Sequence, residues 1–341
     1  MAATTRIVEA GALTDVATQI LVAGGFTEED AAAMARHAVW SEASDIPNQG
    51  FWRLDQYIAK LRAGGYGTGE IIRTDCGPSL VRLDGADRTG QLVAETAAAV
   101  AAERAAETGL GLCVAGMSNH IGSAGYYTAR LAGQGLIGVI LSNGAPRNSG
   151  PATGRKLLGN NVLSVAVEAT GGPVGVDMTV GSIAGSKLMM VTDQTGRMPE
   201  AVTDPRADNA DARTATLTTA GGYKGFALGL AIEMLTGVLA GGRTLTGVAS
   251  FLNAQATASG ATQTVIAVDP SRLGPPEAVA EAAETLAQTL AEAGEHVPGR
   301  ARAVEARRRM AEGIPIGPAQ LDALAALAAD TGVTLDAAFR R

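Results

Sequence analysis

Aromatic residues supply only 4% of this 341-residue chain, so the core has to be built from Ala, Val, Leu and Ile. Cysteine is almost absent. Two thiols, Cys76 and Cys113, exclude a disulfide framework. Cys113 lies in the apolar run 110–115 and is expected to be a small core residue. The three histidines, His37, His120 and His296, form no pair at metal-ligand spacing, so no metal site is expected. Positive charge is also scarce. A formal net charge of −7 gives no basic field and argues against nucleic acid as a partner. The one dense basic run, 300–309, is broken by Glu305 and reads as the solvated face of a helix. No apolar run is long enough to span a bilayer. The most apolar segment, 225–240, carries Glu233 and is expected to be a buried core helix. Residues 1–9 show no apolar stretch after a basic start, so no secretory leader is expected. A soluble protein of the cytoplasm, away from membranes, is the expectation.

Familiar motifs are missing too. Gly67-Thr68-Gly69 and Gly109-Leu110-Gly111 each lack the third glycine of a dinucleotide fingerprint. Gly154-Arg155-Lys156 lacks the spacing of a Walker phosphate loop, and no G-x-S-x-G elbow occurs.

What is present is a globular composition, 46% hydrophobic with 44 glycines, long enough for two lobes. Helical periodicity marks residues 10–22, 27–44 with Thr27 as N-cap, and 51–62 after a loop at Pro47. An Ala-rich helix is expected over 91–108. Short β-like runs follow at 110–115, 136–141, 162–167, 174–178 and 187–191, with a polar loop over 142–159. A glycine-led helix is expected over 221–240, a strand over 264–268, and helices over 276–293 and 318–329. Several strands lie too close together for a helix between each pair. That predicts an α/β chain of α+β type with a mixed or largely antiparallel sheet. The expected division is a helical lobe from 1–75 with 275–341, and a β-rich region over 76–274.

Three segments could carry chemistry. Residues 118–127 follow an apolar strand and precede an amphipathic run, and a strand-to-helix junction offers free N–H groups to an anion. Gly122 and Gly125 allow close approach there. His120 adds a ring that titrates near neutrality, although a histidine capping the helix is the plainer alternative. Asp177, in Val176-Asp177-Met178, ends an apolar strand. It could orient His120, bind a ribose hydroxyl, or cap the next segment. Lys224 opens the most apolar helix behind Gly221-Gly222-Tyr223, a place suited to phosphate or carboxylate; a solvated lysine is the alternative.

Taken together, these blocks resemble the malate/L-lactate dehydrogenase-like oxidoreductases. That family includes ureidoglycolate, sulfolactate and 2,3-diketogulonate enzymes and Δ1-piperideine-2-carboxylate reductases. The resemblance runs through 41–57, 118–127, Gly159-Asn160-Asn161, Asp177-Met178, Thr203-Asp204-Pro205, 221–228 and Pro298-Gly299. It implies a fold distinct from Rossmann, a mostly antiparallel sheet holding NADH or NADPH, and a homodimer with the active site near the subunit interface. By position, His120, Ile121, Gly122, Ser123 and Ala124 would line the nicotinamide and pyrophosphate. Asn160, Val176, Asp177, Met178, Tyr223 and Lys224 would also contact the cofactor, and Gly299 would close over it. Arg53 matches an arginine that grips the carboxylate of a small substrate, work suited to a guanidinium fork.

The chain departs from the family pattern at Asn48-Gln49-Gly50, where Ser-His-Gly is usual and serves substrate binding and proton donation. Neither amide delivers a proton at neutral pH, although both hydrogen-bond. Arg300 follows Pro298-Gly299 where Glu is common, and the stretch 191–203 looks shortened. Reducing a ketone needs a proton on oxygen, whereas a cyclic imine can arrive protonated. The departure therefore leans the expectation toward an imine or an atypical 2-oxo acid. Keto-acid reduction remains open, with His120 or a water held by Asn48 and Gln49 as proton source. So does a non-catalytic dimeric homologue that keeps the dinucleotide site. Arg53, His120 and Asp177 join the two amides as the catalytic candidates. Arg147 or Arg155 could meet a 2′-phosphate.

Overall fold

The computed structural model describes residues 5–336 and 339, so the first four residues of the stretch read for a leader lie outside it. Polar caps and glycine stops set the first helices. The chain begins with β1 (Arg6–Val8), α1 (Ala10–Ala23), α2 (Glu28–Ala43) and α3 (Leu54–Arg62). The Thr27 hydroxyl accepts the Asp30 N–H at 3.2 Å, satisfying one free donor of the first turn of α2. Then come β2 (Ile72–Asp75), β3 (Leu80–Asp84), α4 (Gly90–Thr108), β4 (Leu110–Ser118), α5 (Gly125–Ala132) and β5 (Ile137–Ser142). The middle continues with β6 (Pro146–Ser149), β7 (Lys156–Gly159), β8 (Val162–Val167), β9 (Val174–Thr179), α6 (Gly185–Thr195) and α7 (Tyr223–Glu233). It closes with β10 (Ala261–Val268), α8 (Pro276–Glu292), α9 (Arg300–Glu312), β11 (Ile314–Ile316) and α10 (Pro318–Thr331).

Seven strands form the main sheet in the order β2-β3-β4-β10-β5-β8-β9. Every pairing is antiparallel except β3 with β4. The mixed, mostly antiparallel sheet follows from the short connections, which leave no room for a crossover helix between most strands. One face is covered by α4 and α5. There Val93, Ala97, Cys113, Tyr127, Leu131 and Val265 form a core of mostly small side chains. The spacing is close: a Cβ at Gly111 would lie 1.8 Å from the carbonyl oxygen of Ala101. A second core joins Leu13, Ile20, Met34, Phe51 and Tyr57 to Ile314, Ile316 and Leu324, so the two ends of the chain share one apolar interior. The β1–β11 pair closes it.

Three expectations are corrected. Residues 187–191 lie in α6 rather than in a strand. Lys187, Leu188, Met189 and Met190 carry no branch at Cβ and are good helix formers, and Gly196 ends the helix in the left-handed conformation at φ +67°. The polar loop 142–159 contains the β6–β7 hairpin. The glycine-led helix starts at Tyr223, passes into a π-helical turn at Met234–Val238, and is buried on one side only. Met234, Leu235, Val238 and Leu239 are 50–61% exposed. The basic run 300–309 is a salt-bridged helix face, with Arg300 on Glu284, Arg307 on Glu168 and Arg308 on Glu305. Among the described residues, no helix is long and apolar enough to cross a membrane.

Candidate active site

The segment joining α2 to α3 is shaped by Pro47, which starts a 3₁₀ turn, and by Gly50. A Cβ at Gly50 would meet the Glu42 carboxylate at 2.1 Å. That carboxylate is buried and accepts the Phe51 N–H at 2.8 Å. Burial pushes Glu42 up to about 7. The next 3₁₀ turn, Phe51–Arg53, delivers Arg53 inward.

Arg53 is 3% exposed. Its Nη1 donates to Gln56 at 2.5 Å, and its guanidinium lies over the rings of Trp52 and Phe251, 5.1 and 5.5 Å from their centroids. Its Nε is buried without a partner, and among the described residues no carboxylate pairs with it. A desolvated cation without a counter-ion is costly, and its own pKa is lowered by that burial.

Asn48 and Gln49 converge on Ser186, near the start of α6, donating to its Oγ at 2.7 and 3.3 Å. With Oγ accepting twice, the Ser186 hydrogen is left for another acceptor. The three side chains make a polar group with no titratable member near neutrality.

His120 follows β4 and is held from behind. Its Nδ1 lies 2.9 Å from the Tyr57 hydroxyl, which accepts from the Gln91 amide at 2.7 Å. Gln91 occupies one side of the phenol oxygen, so the Tyr57 hydrogen is directed at Nδ1. With the Gln91 amide so oriented, the imidazole proton sits on Nε2. The ring stacks on Phe251 with centroids 5.1 Å apart. Loss of water contact, then the charge of Arg53, holds His120 well below its ordinary 6.5, so the ring is neutral at pH 7.

The turn after His120 is fixed from two sides. Gly122 has φ +75°, and a Cβ on it would lie 2.2 Å from the His37 ring. His37 Nε2 accepts the Ser123 N–H at 2.8 Å; burial pushes this histidine down to about 4. From the other side, Asp177 Oδ2 accepts the Ser123 hydroxyl at 2.8 Å and the Gly125 N–H at 2.9 Å. Asp177 thus caps α5, not the segment after its own strand, and makes no bond to His120. The orienting partner of His120 is Tyr57.

Two cavities flank this turn. One, of about 360 Å³, is lined by Gln49, Arg53, His120, Ile121, Gly122, Asn160 and Ser186 among others. Asn160 is itself held, donating to Ile183 O and accepting the Gly181 N–H. The other, of about 240 Å³, is lined by Gly125, Val176, Asp177 and Gly299, with Trp40 and His296. Ser123 and Ala124 are buried in the wall between. Met178, Tyr223 and Lys224 line neither cavity in the single chain, and Tyr223 is 69% exposed. Sequence reading missed Tyr57, Gln91, Ser186 and Phe251. Only Tyr57 left a usable signal, since it sits four residues after Arg53 on one side of the same helical run.

The likeness to known proteins first gives a class. This chain is an oxidoreductase. The family model for malate/L-lactate dehydrogenase matches residues 8–325, and the chain belongs to that family. It is 29% identical to the L-sulfolactate dehydrogenase of Methanothermobacter thermautotrophicus, over 93% of this chain and 95% of that protein. It is 30% identical to the (2R)-3-sulfolactate dehydrogenase (NADP(+)) of Chromohalobacter salexigens, over 92% of this chain and 95% of that protein. The crystal structure of Δ1-piperideine-2-carboxylate reductase from Pseudomonas syringae superposes with a TM-score of 0.84 at 25% identity, covering 95% of this chain and 100% of that one.

Proposed function

We propose that this protein is a NAD(P)H-dependent reductase of small 2-oxo acids. The observation that carries the reading is Arg53, a buried guanidinium with no counter-ion, opening on the same cleft as the fixed imidazole of His120. The residues present suit a nicotinamide dinucleotide, NADH or NADPH. Two cavities lie on either side of a glycine turn at a helix start, where Gly122 and Gly125 admit no side chain. When bound, the nicotinamide supplies the hydrogen and electron pair for the carbonyl carbon.

The protein's own part is binding and proton placement. Arg53 takes the substrate carboxylate in its fork. His120 presents Nε2–H to the reacting oxygen, as a neutral donor. As that proton leaves, the Tyr57 hydrogen can pass to Nδ1; after product release a solvent proton taken up at Nε2, which faces the cleft, lets the Nδ1 hydrogen return to the phenol. Asn48, Gln49 and Ser186 hydrogen-bond the substrate without giving up a proton. The lean toward a cyclic imine rested on the loss of a proton donor beside Gly50; a fixed N–H donor at His120 removes that reason. A cyclic 2-imino acid, which can arrive already protonated, is the second reading. The site would lie where a helical lobe (1–75 with 275–341) meets the β-rich region 76–274.

The test is oxidation of NADH and NADPH with pyruvate, oxaloacetate or Δ1-piperideine-2-carboxylate. Turnover of at least one 2-oxo acid is expected. Turnover of the imine alone would move the reading to imine reduction. Cofactor binding without any turnover would make the protein a non-catalytic homologue.

A homodimer is part of the proposal. The outward stripe Met234, Leu235, Val238 and Leu239 is too apolar to face water comfortably. Tyr223 and Lys224 open the same helix and line no cavity of their own chain, which fits a contribution across the interface. Leu235→Glu is expected to convert dimer to monomer in sedimentation velocity; an unchanged dimer would move the interface elsewhere. One exposed free thiol, Cys76, fits a reducing cytoplasm.

A further inference from the structure

Phe251, the ring stacked on His120, belongs to a loop whose ends are joined. The Ala249 N–H donates to the Ser259 carbonyl at 3.0 Å and closes the stretch 249–259. Residues 249–253 and Ser259 line the cleft. The returning end is tied down by Arg243, whose Nη1 donates to Ala258 O at 3.1 Å, and by Asn119 Oδ1, which accepts the Ser259 N–H at 3.0 Å. The outgoing end carries Phe251. Its ring centroid lies 5.1 Å from that of His120, 5.2 Å from that of Tyr57 and 5.5 Å from the Arg53 guanidinium carbon.

The loop is also tied to α3. Arg53, Tyr57 and Lys60 follow one another at four and three residues, so they share a side of the helical run 51–62. Lys60 is fully buried, an unusual place for an ammonium. Its Nζ donates to the Thr257 carbonyl at 2.5 Å and lies 5.4 Å from the Tyr66 ring centroid. Gly65 permits the close contact: a Cβ there would lie 1.9 Å from Gln255 O and 2.8 Å from Lys60 Nζ. Burial pushes Lys60 down to about 8, against the pull of Asp87, so the amine is charged at pH 7. A charged donor makes the stronger bond, and taking an ammonium out of water for one carbonyl is costly. Simple packing would be served better by an apolar side chain. Lys60 does not line the cleft, so any effect on the chemistry has to pass through the loop.

That effect is on water. His120 is neutral chiefly because water is kept from its ring. Arg53 on α3 and His37 on α2 add to this, and the Tyr57 hydroxyl meets Nδ1. Phe251 covers a face of the ring. We propose that Lys60 is a positioning residue, which holds the loop 249–259 against α3 and so keeps Phe251 on the His120 ring and water off it. The inference rests on His120 as a neutral donor. It goes further in naming a residue that preserves that neutrality without touching substrate or His120.

The test follows the three histidines by NMR, labelled at Cε1, in the whole protein without substrate. His120→Ala identifies the His120 signal. Lys60→Met, Lys60→Gln and Phe251→Ala are compared with the wild type. Glutamine keeps a polar donor but falls one atom short of Thr257, and it decides the matter if the methionine variant fails to fold. Between about pH 8 and 6 the wild-type His120 signal should stay still. In all three variants it should move across that range, as an imidazole reached by water does. Turnover, level over the same range in the wild type, should change severalfold across it in the variants. A His120 signal that stays still in the Lys60 variants would overturn the proposal. So would a signal that moves in them but not in Phe251→Ala, since the effect would then bypass the ring. If no acid is reduced but the signal moves as expected, the positioning role stands and the reductase reading falls. If acids are reduced and the signal stays still, the reverse holds.

Discussion

Arg53→Met is expected to raise the KM for the acid substrate from about thirtyfold to several thousandfold, as losing one partner of a buried charge pair costs roughly 2–5 kcal/mol. It should also raise the melting temperature. The two effects have one cause. The guanidinium is out of water and forms no ion pair among the described residues, so the free protein carries a cost that a bound carboxylate would relieve. Methionine fits the aliphatic volume beside Trp52 and Phe251 and removes that cost. Lysine should rescue KM only in part, because an ammonium cannot reproduce the planar fork. Steady-state kinetics with a thermal melt checks both. A variant with wild-type KM would remove Arg53 from substrate binding, whatever its stability.

His120→Ala is expected to lower kcat by roughly 10²–10⁴-fold, the usual contribution of a positioned proton donor. Tyr57→Phe should be milder. It keeps the ring stack and the imidazole but removes the hydrogen bond that selects the Nε2–H tautomer. The pH profile separates this role from a packing role. Since the ring is held well below 6.5, the working form is neutral, and kcat should show no imidazolium titration between about pH 6 and 8. Tyr57→Phe should lower the melting temperature modestly, because it leaves the buried Gln91 amide without its acceptor, and should lower kcat more than it raises KM. Full activity in His120→Ala would transfer the proton step to water at the amide cluster.

Local signals in the sequence were reliable where one residue decides a local event. Thr27 caps α2, the Ala-rich run 91–108 is helical, and the close strands give a mostly antiparallel sheet. The misreadings have physical sources. Residues 188–191 are an apolar run of four, a length at which strand and buried helix look alike. All of β2 is exposed, so it shows no alternation. The apolar stripe after Glu233 cannot announce from composition whether it faces a core or a neighbour. For the site, the turn at Gly122 and the helix entry at Gly125 could be read from a strand-to-helix junction. Arg53 came through family resemblance. Gln91 could not be found either way, because its role depends on α4 bringing it to a phenol on α3. Ser186 was hidden by the misread α6.

The contact between Gly122 and His37 has a consequence for descent. As long as an imidazole fills the space above position 122, no side chain can be tolerated there, and the left-handed backbone enforces the same rule. Shrinking residue 37 would open the space, but it would also withdraw the acceptor of the Ser123 N–H and loosen the entry to α5. Neither position can drift alone without loss. Across lineages the glycine and the histidine should therefore be kept together, although one belongs to the turn between the cavities and the other to a helix of the N-terminal core.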